Sequence, residues 1–191
     1  PYMMEYLICN NGAIVVTGSI DLTGTKLPEL PRFGMRMELH QPYENLVYYG
    51  RGPFENYIDR YSSSFIGRYE DKVENQFYWY IRPQETGNKT DVRWLSLLDS
   101  EGQGVRITGL QPISFSALHF SPEDLDPGLT RKLQHTIDIV PQKNIFLHVD
   151  LKQRGLGGDN SWGMYPHNEY RLLDKKYTYS YMIELVEKNS D

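Results

Sequence analysis

The sequence predicts an all-β fold, a large antiparallel β-sandwich, on three observations. Apolar residues recur at every second position through most of the chain, the spacing that places them on one face of a strand. Gly, Pro, Asn and Asp cluster between these runs, where turns are needed. Helix-start signals are confined to one short stretch. Many short strands with turns between them, and almost no helix, argue two packed sheets. The 191 residues contain no repeat period and no low-complexity linker, so residues 1–191 read as one domain.

Taken in order, Ile14, Val16, Gly18, Ile20 and Leu22 share one face of a first strand. Thr23 to Pro31 is rich in Gly and Pro and reads as a loop. Phe33, Met35, Met37 and Leu39 then alternate with Gly34, Arg36, Glu38 and His40, one apolar and one wet face. Residues 44–49 form the next strand, with Leu46, Val47, Tyr48 and Tyr49. Segments 92–98 and 104–109 flank Asp99-Ser100-Glu101-Gly102, a hairpin signal. Segment 112–120 sets Ile113, Phe115 and Ala117 against Ser114 and Ser116.

Ser121-Pro122-Glu123-Asp124 supplies an N-cap, a proline at the first helical position and acidic residues in the first turn. Pro127-Gly128 then limits it to a short helix. Leu133, His135, Ile137 and Ile139 read as a further apolar stripe. Ile145, Leu147, Val149 and Leu151 form another, with Phe146, His148, Asp150 and Lys152 opposite. The last strand, 177–186, places Tyr177, Tyr179, Tyr181, Ile183 and Leu185 on one side.

Composition excludes several functions. Aromatic residues make up 13% of the chain, too many for a disordered tail. The net charge is −5 and the basic residues are scattered, so there is no electrostatic footprint for nucleic acid. No apolar run approaches the roughly 20 residues of a membrane helix. The start, Pro1-Tyr2-Met3-Met4-Glu5, lacks the features of a signal peptide and an initiator methionine, and reads as a piece of a longer chain. Cys9 is the single cysteine, with no Cys-His signature around it, and reads as a small structural residue. It does not decide between cytoplasm and periplasm.

Three stretches break the alternation: 49–60, 82–94 and 155–163. They combine Trp and Tyr with Asn, Asp, Arg and Glu. That mixture suits a sugar, whose C–H face stacks on rings while its hydroxyls bond to polar groups. A purely structural reading stands beside it. Glycines serve tight turns, and Arg51, Arg60 and Arg93 have Glu55, Asp59 and Asp91 nearby to satisfy loop charges. The run at 155–158 lacks the Lys-Ser/Thr ending and following helix of a phosphate cradle.

These stretches resemble the C-terminal, small-chain domain of LacZ-type β-galactosidases, glycoside hydrolase family 2. The resemblance rests on Leu30-Pro31-Arg32-Phe33-Gly34-Met35 and on Gly50-Arg51-Gly52-Pro53 with Glu55-Asn56-Tyr57 and Asp59-Arg60. It continues with Pro83-Gln84-Glu85, Gly87-Asn88 and Thr90 to Trp94, then Gly157-Gly158-Asp159, Ser161-Trp162-Gly163 and Glu169 to Leu172. It implies a supersandwich like that of galactose mutarotases, here lacking its first strands, packed beside a catalytic (β/α)₈ barrel of the same chain. It also implies a β-galactoside substrate, a homo-oligomeric parent, and a magnesium site in the barrel rather than in these residues. A loop of this domain reaches the barrel mouth in the family, and the position matching its sugar-binding tryptophan is Trp162. Asp159, Ser161 and His167 lie beside it as substrate-binding candidates.

A retaining glycosidase needs two carboxyl groups roughly 5 Å apart. In the resembled family both come from the barrel, so this piece is expected to be inactive alone. Glu55, Glu85 and Glu169 read as acceptors that pin loops. His40, His119, His135 and His148 read as structural or solvated, and no HxH or HExxH spacing marks a metal site. Two rival functions are a free-standing mutarotase or epimerase, using His119 or His148 with a loop glutamate, and a carbohydrate-binding module using Trp79, Trp94 and Trp162. Trp79 and Trp94 fall in or beside strands and are expected in the core.

Overall fold

The computed structural model describes residues 1–126, 128, 135–160 and 162–188. Among them are nine strands: β1 (Tyr2–Ile8), β2 (Ile14–Asp21), β3 (Arg32–Leu39), β4 (Asn45–Gly52), β5 (Phe65–Lys72), β6 (Lys89–Leu98), β7 (Gly104–Leu118), β8 (Ile145–Gln153) and β9 (Lys176–Val186). A one-turn helix, α1 (Pro122–Leu125), follows β7. Its start matches the sequence signal. The Ser121 hydroxyl accepts from the Asp124 amide at 3.2 Å, and the Asp124 carboxylate accepts from the Ser121 amide at 2.8 Å. Such a reciprocal cap stabilises a helix end by about 1 kcal/mol.

Every pairing is antiparallel, in the order β1-β2-β9-β7-β6-β4-β5. The long strand β7 makes this a sandwich. Its first part, Gly104 to Gly109, pairs with β9, and its second part, Ser114 to Leu118, pairs with β8, which carries β3. The change of partner coincides with register shifts in β6 between Lys89 and Trp94. Gly109 sits at the bend, where a Cβ would collide with the Gln111 carbonyl. Beyond the bend, the Gln111 side chain bonds the backbone of Ser180 at 3.0 and 3.2 Å, replacing the ladder where β9 leaves β7.

The β9–β2 and β8–β3 branches close on each other. The Tyr179 hydroxyl donates to the Val149 carbonyl at 3.0 Å, and the Phe33 ring meets Tyr177 and Tyr179 at 5.8 and 5.5 Å. Between them lies one core, in which Leu46, Leu95, Leu97, Phe115, Ile145, Leu147 and Val149 are fully buried. Each such side chain contributes about 1.5–3 kcal/mol of burial.

Several expectations are corrected. The runs 104–109 and 112–120 belong to one bent strand. In the stripe predicted at 133–139 the described residues form no strand: Thr136–Asp138 is a single 3₁₀ turn, capped by the Asp138 carboxylate on the His135 amide at 2.8 Å. Ile137 there is 89% exposed and His135 faces solvent, while Leu133 lies outside the described residues. The face of β8 opposite Ile145 and Leu147 is also buried, including Phe146, His148 and Asp150. Leu185 is exposed, because β9 runs past the core. Neither expected tryptophan is in the core. Trp79 is 59% exposed, and Trp94 is half-buried with the Arg106 guanidinium 4.1 Å over its ring.

Candidate functional site

The end of β4, the start of β6 and the end of β8 feed the three irregular stretches, and hydrogen bonds draw them together. Asn56 is the knot of the first two. Its amide donates to the Asn88 carbonyl at 2.8 Å, and its carbonyl accepts from the Asn88 side chain at 2.8 Å. Its side-chain oxygen accepts from the Thr90 amide and hydroxyl at 2.9 and 2.6 Å. Its side-chain nitrogen donates to the carbonyls of Arg51 and Phe54 at 3.1 and 3.0 Å. Buried without exposure, it leaves no polar atom unpaired.

Glu55 has the loop-pinning role that its position suggests. It accepts from the Arg60 guanidinium at 2.6 Å, the Tyr80 hydroxyl, the Thr86 hydroxyl at 3.0 Å and the Gly87 amide at 2.7 Å. Arg51 pairs with Asp91 at 2.5 Å. Arg93 instead donates to the Asp91 carbonyl.

Asp59 joins the third stretch, accepting from the Gly157 amide at 2.8 Å. The Gly155 amide donates to the Tyr170 carbonyl at 2.8 Å. A Cβ on Gly155 would stand 2.8 Å from the Asp59 carboxyl carbon, so this glycine allows close approach of chain to chain, not of a phosphate. Glu29 braces the same loop by accepting from Arg154 and Arg171 at 2.9 and 2.6 Å. Burial opposes the Glu29 charge, but the two guanidiniums outweigh it and hold the carboxyl below its ordinary range. Asp59, Gln84, Glu85, Leu156 and Gly157 thereby line a shared crevice of about 440 Å³, walled by Arg60 and Tyr80.

From this anchored base the loop projects Trp162, whose indole is 90% exposed. Its amide donates to the Asn160 side chain at 2.8 Å, a local turn that sets the backbone without covering the ring. Two further candidates meet: His167 Nε2 lies 2.7 Å from the Asp159 carboxylate, whose hydrogen bond and charge raise the imidazole pKa. Both are exposed. Ser161 lies outside the described residues.

Beneath the crevice is a cluster that sequence reasoning missed. Arg32 reaches Asp150 at 3.2 Å, Glu85 at 3.2 Å, Gln153 at 2.5 Å and His148 Nδ1. Burial pushes Asp150 up to about 7 against the pull of Arg32. Burial and the repulsion of Arg32 bring His148 down to about 4, so its neutral ring accepts from the guanidinium. A Cβ on Gly34 would collide with the Asp150 carboxylate, which explains glycine in Arg32-Phe33-Gly34. That triplet was the one sequence signal for the cluster.

His119 and Glu44 lie 3.0 Å apart in a separate open depression of about 450 Å³. They bond to each other, and His119 Nδ1 faces the Asn144 carbonyl at 3.1 Å. Among the described residues no group of three or more His, Cys, Asp or Glu could hold a metal ion. Among the described residues no helix is long and apolar enough to cross a membrane.

The chain is similar to a family described as β-galactosidase small chain, whose model matches residues 1–183. A β-galactosidase of Priestia megaterium is 34% identical over 95% of this chain and 17% of its own length. One from Streptococcus thermophilus is likewise 34% identical over 95% of this chain and 17% of its own. The β-galactosidase BgaC of Bifidobacterium adolescentis is 35% identical over 83% of this chain and 15% of its own. The chain thus spans about a sixth of the length of these relatives. With a match that runs through the bent two-branch sheet and all three irregular stretches, the chain belongs to the β-galactosidase small-chain family.

Proposed function

We propose that this chain is the accessory β-sandwich of a retaining β-galactosidase acting on terminal β-D-galactosides. Its Trp162 loop completes a sugar site whose carboxylates lie in a (β/α)₈ barrel of the same polypeptide. One observation carries the reading: a fully presented indole stands on a loop held at its base by Asp59, Glu29 and Tyr170. Leaving an indole in water forfeits the burial that such a ring normally gains, and a rigid base presents the ring at a defined position. The ring offers a C–H stacking face for galactose, with Asp159 and His167 as hydrogen-bonding groups nearby.

On this reading the proton transfers and the nucleophile belong to the barrel, where magnesium also resides, and these residues contribute binding and orientation. Glu55 supports that division of labour, because its carboxylate oxygens are taken up by loop donors. The purified chain, incubated with a chromogenic β-galactoside and with α-galactose followed by polarimetry, is expected to turn over neither. Hydrolysis by the purified chain would overturn the assignment.

A further inference from the structure

On the far side of Arg60 and Tyr80 from Gly157 lies a second depression, of about 570 Å³. That is within the ordinary range of small-molecule sites. Two aromatic side chains line it while remaining open to solvent: Phe54 is 71% exposed and Tyr78 is 59% exposed. Its floor includes Lys89, which is only 2% exposed. The ammonium donates to the Gln76 side chain at 3.0 Å and to the Gly87 carbonyl at 3.3 Å. An ammonium carries three protons, so one N–H is left by these two bonds. Groups buried this deeply are normally satisfied.

The charges here balance. Arg60 and Lys89 face Glu55 and Asp71, so no net field selects an anion. The carboxylates are also occupied: Glu55 by its loop donors, Asp71 by the side chains of Asn75 and Gln76, each at 2.8 Å. What remains for a ligand is the spare Lys89 proton, the Asn75 side-chain oxygen, the Tyr78 hydroxyl and Nη1 of Arg60, whose Nη2 already donates to Glu55 and Tyr80. Donors and acceptors are thus mixed, in neutral surroundings, beside two aromatic rings. A polyhydroxylated ring matches this set, because each hydroxyl both donates and accepts while the C–H face stacks on an arene.

We infer that this depression is a saccharide-binding site for a neutral hexose or hexose disaccharide, with Tyr78 or Phe54 as stacking platform and Lys89 and Asn75 as hydrogen-bonding groups. Burial pulls the Lys89 pKa down to about 8, which eases the sharing of its proton with a neutral ligand. The inference uses none of the Trp162 loop and stands whatever that loop does.

The test is titration of the intact protein with a non-hydrolysable β-thiogalactoside, followed by calorimetry and saturation-transfer NMR. A weak binding event is expected that Tyr78→Ala and Asn75→Ala each weaken about tenfold, the scale of one lost stacking or polar contact. The titrations use the Trp162→Ala background, in which the galactoside site proposed for the Trp162 loop is weakened, so that the remaining event reports on this depression. Lys89→Met should abolish it, and because that change alters a buried site, the surface variants Tyr78→Ala and Asn75→Ala carry the decision. Saccharide binding indifferent to both surface variants would overturn the inference. So would no detectable binding, or capture of inorganic phosphate in place of the sugar.

Discussion

The Asp59 carboxylate accepts a hydrogen bond from the Gly157 amide at 2.8 Å, across 98 residues of sequence. This bond ties the loop after β4 to the loop that carries Trp162. An acceptor that bears charge makes such a bond worth roughly 1.5–3 kcal/mol. Asp59→Ala is therefore expected to speed amide hydrogen exchange at residues 155–160 and to raise KM for a β-galactoside in the intact enzyme. Asp59→Asn keeps a neutral acceptor and should show a smaller effect on both. Equal exchange rates in wild type and Asp59→Ala would show that the bond does not hold the loop.

Trp162→Ala separates binding from stability. The indole is 90% exposed, so its removal should change the melting temperature by less than about 1 °C. Loss of a stacking aromatic costs about 1–3 kcal/mol, which predicts a KM for β-galactosides raised about 5- to 150-fold in the intact enzyme. Trp162→Phe should recover part of the loss. An unaltered KM in Trp162→Ala would remove this loop from the sugar site.

Asn56→Ala tests the knot between the first two stretches. It strips two side-chain donors and one acceptor that serves both Thr90 groups, all within a buried region. Unsatisfied buried groups cost roughly 1–3 kcal/mol each, so a loss of about 3 kcal/mol or more is expected in urea denaturation. Asn56→Asp keeps the acceptor but buries a charge in place of the donors, and is expected to be destabilised as well.

The Arg32 cluster predicts a pH dependence with two opposed slopes. His148 is held near 4 in the folded chain, below its ordinary 6.5. The unfolded chain binds the extra proton in that window, so this contribution makes stability fall as pH drops from about 6.5 to 4. Asp150 is held near 7, above its ordinary 3.8. Here the folded chain binds the extra proton, so stability from this group is full below about 3.8 and is lost as pH rises towards 7. The two slopes oppose across much of the same range. Asp150→Asn leaves only the His148 slope, and the variant should lose about 1–2 kcal/mol more than wild type between pH 6.5 and 4.5. Parallel pH–stability curves would show that Asp150 titrates at its ordinary value.

Legibility in the sequence followed burial. Strands β2, β3, β8 and β9 stood out because each puts an alternating apolar row into the common core. β1 and β5 left no such signature, since both are mostly exposed edge strands without a one-sided pattern. Of the stripe at 133–139, Ile137 carries the spacing without the burial while Ile139 is buried, and alternation alone cannot distinguish a row that meets a core from one that meets water. The exposure of Trp162 is legible because a tryptophan in a Gly-rich turn has no core to enter. Arg32 was not, because its partners come from β8 and from a loop some fifty residues away, a convergence that only the folded sheet creates.

The glycines of the third stretch give a last discrimination between turn chemistry and close packing. Gly155 and Gly157 look alike in sequence, yet their surroundings differ. A Cβ on Gly155 meets Asp59 at 2.8 Å and the Tyr170 Cβ at 2.9 Å, closer than real contacts allow. At Gly157 the nearest atom is the Asp59 carboxylate oxygen at 3.5 Å, an ordinary contact. Neither has the positive φ that would penalise any side chain. Gly155→Ala should therefore force the loop away from Asp59, raise KM for β-galactosides as Asp59→Ala does, and lower stability by about 1–3 kcal/mol, the usual cost of overpacking. Gly157→Ala should leave stability within about 0.5 kcal/mol and keep the Asp59 bond, because its own amide remains the donor. If both variants behaved alike in denaturation and kinetics, the loop would be held by something other than its close approach to Asp59.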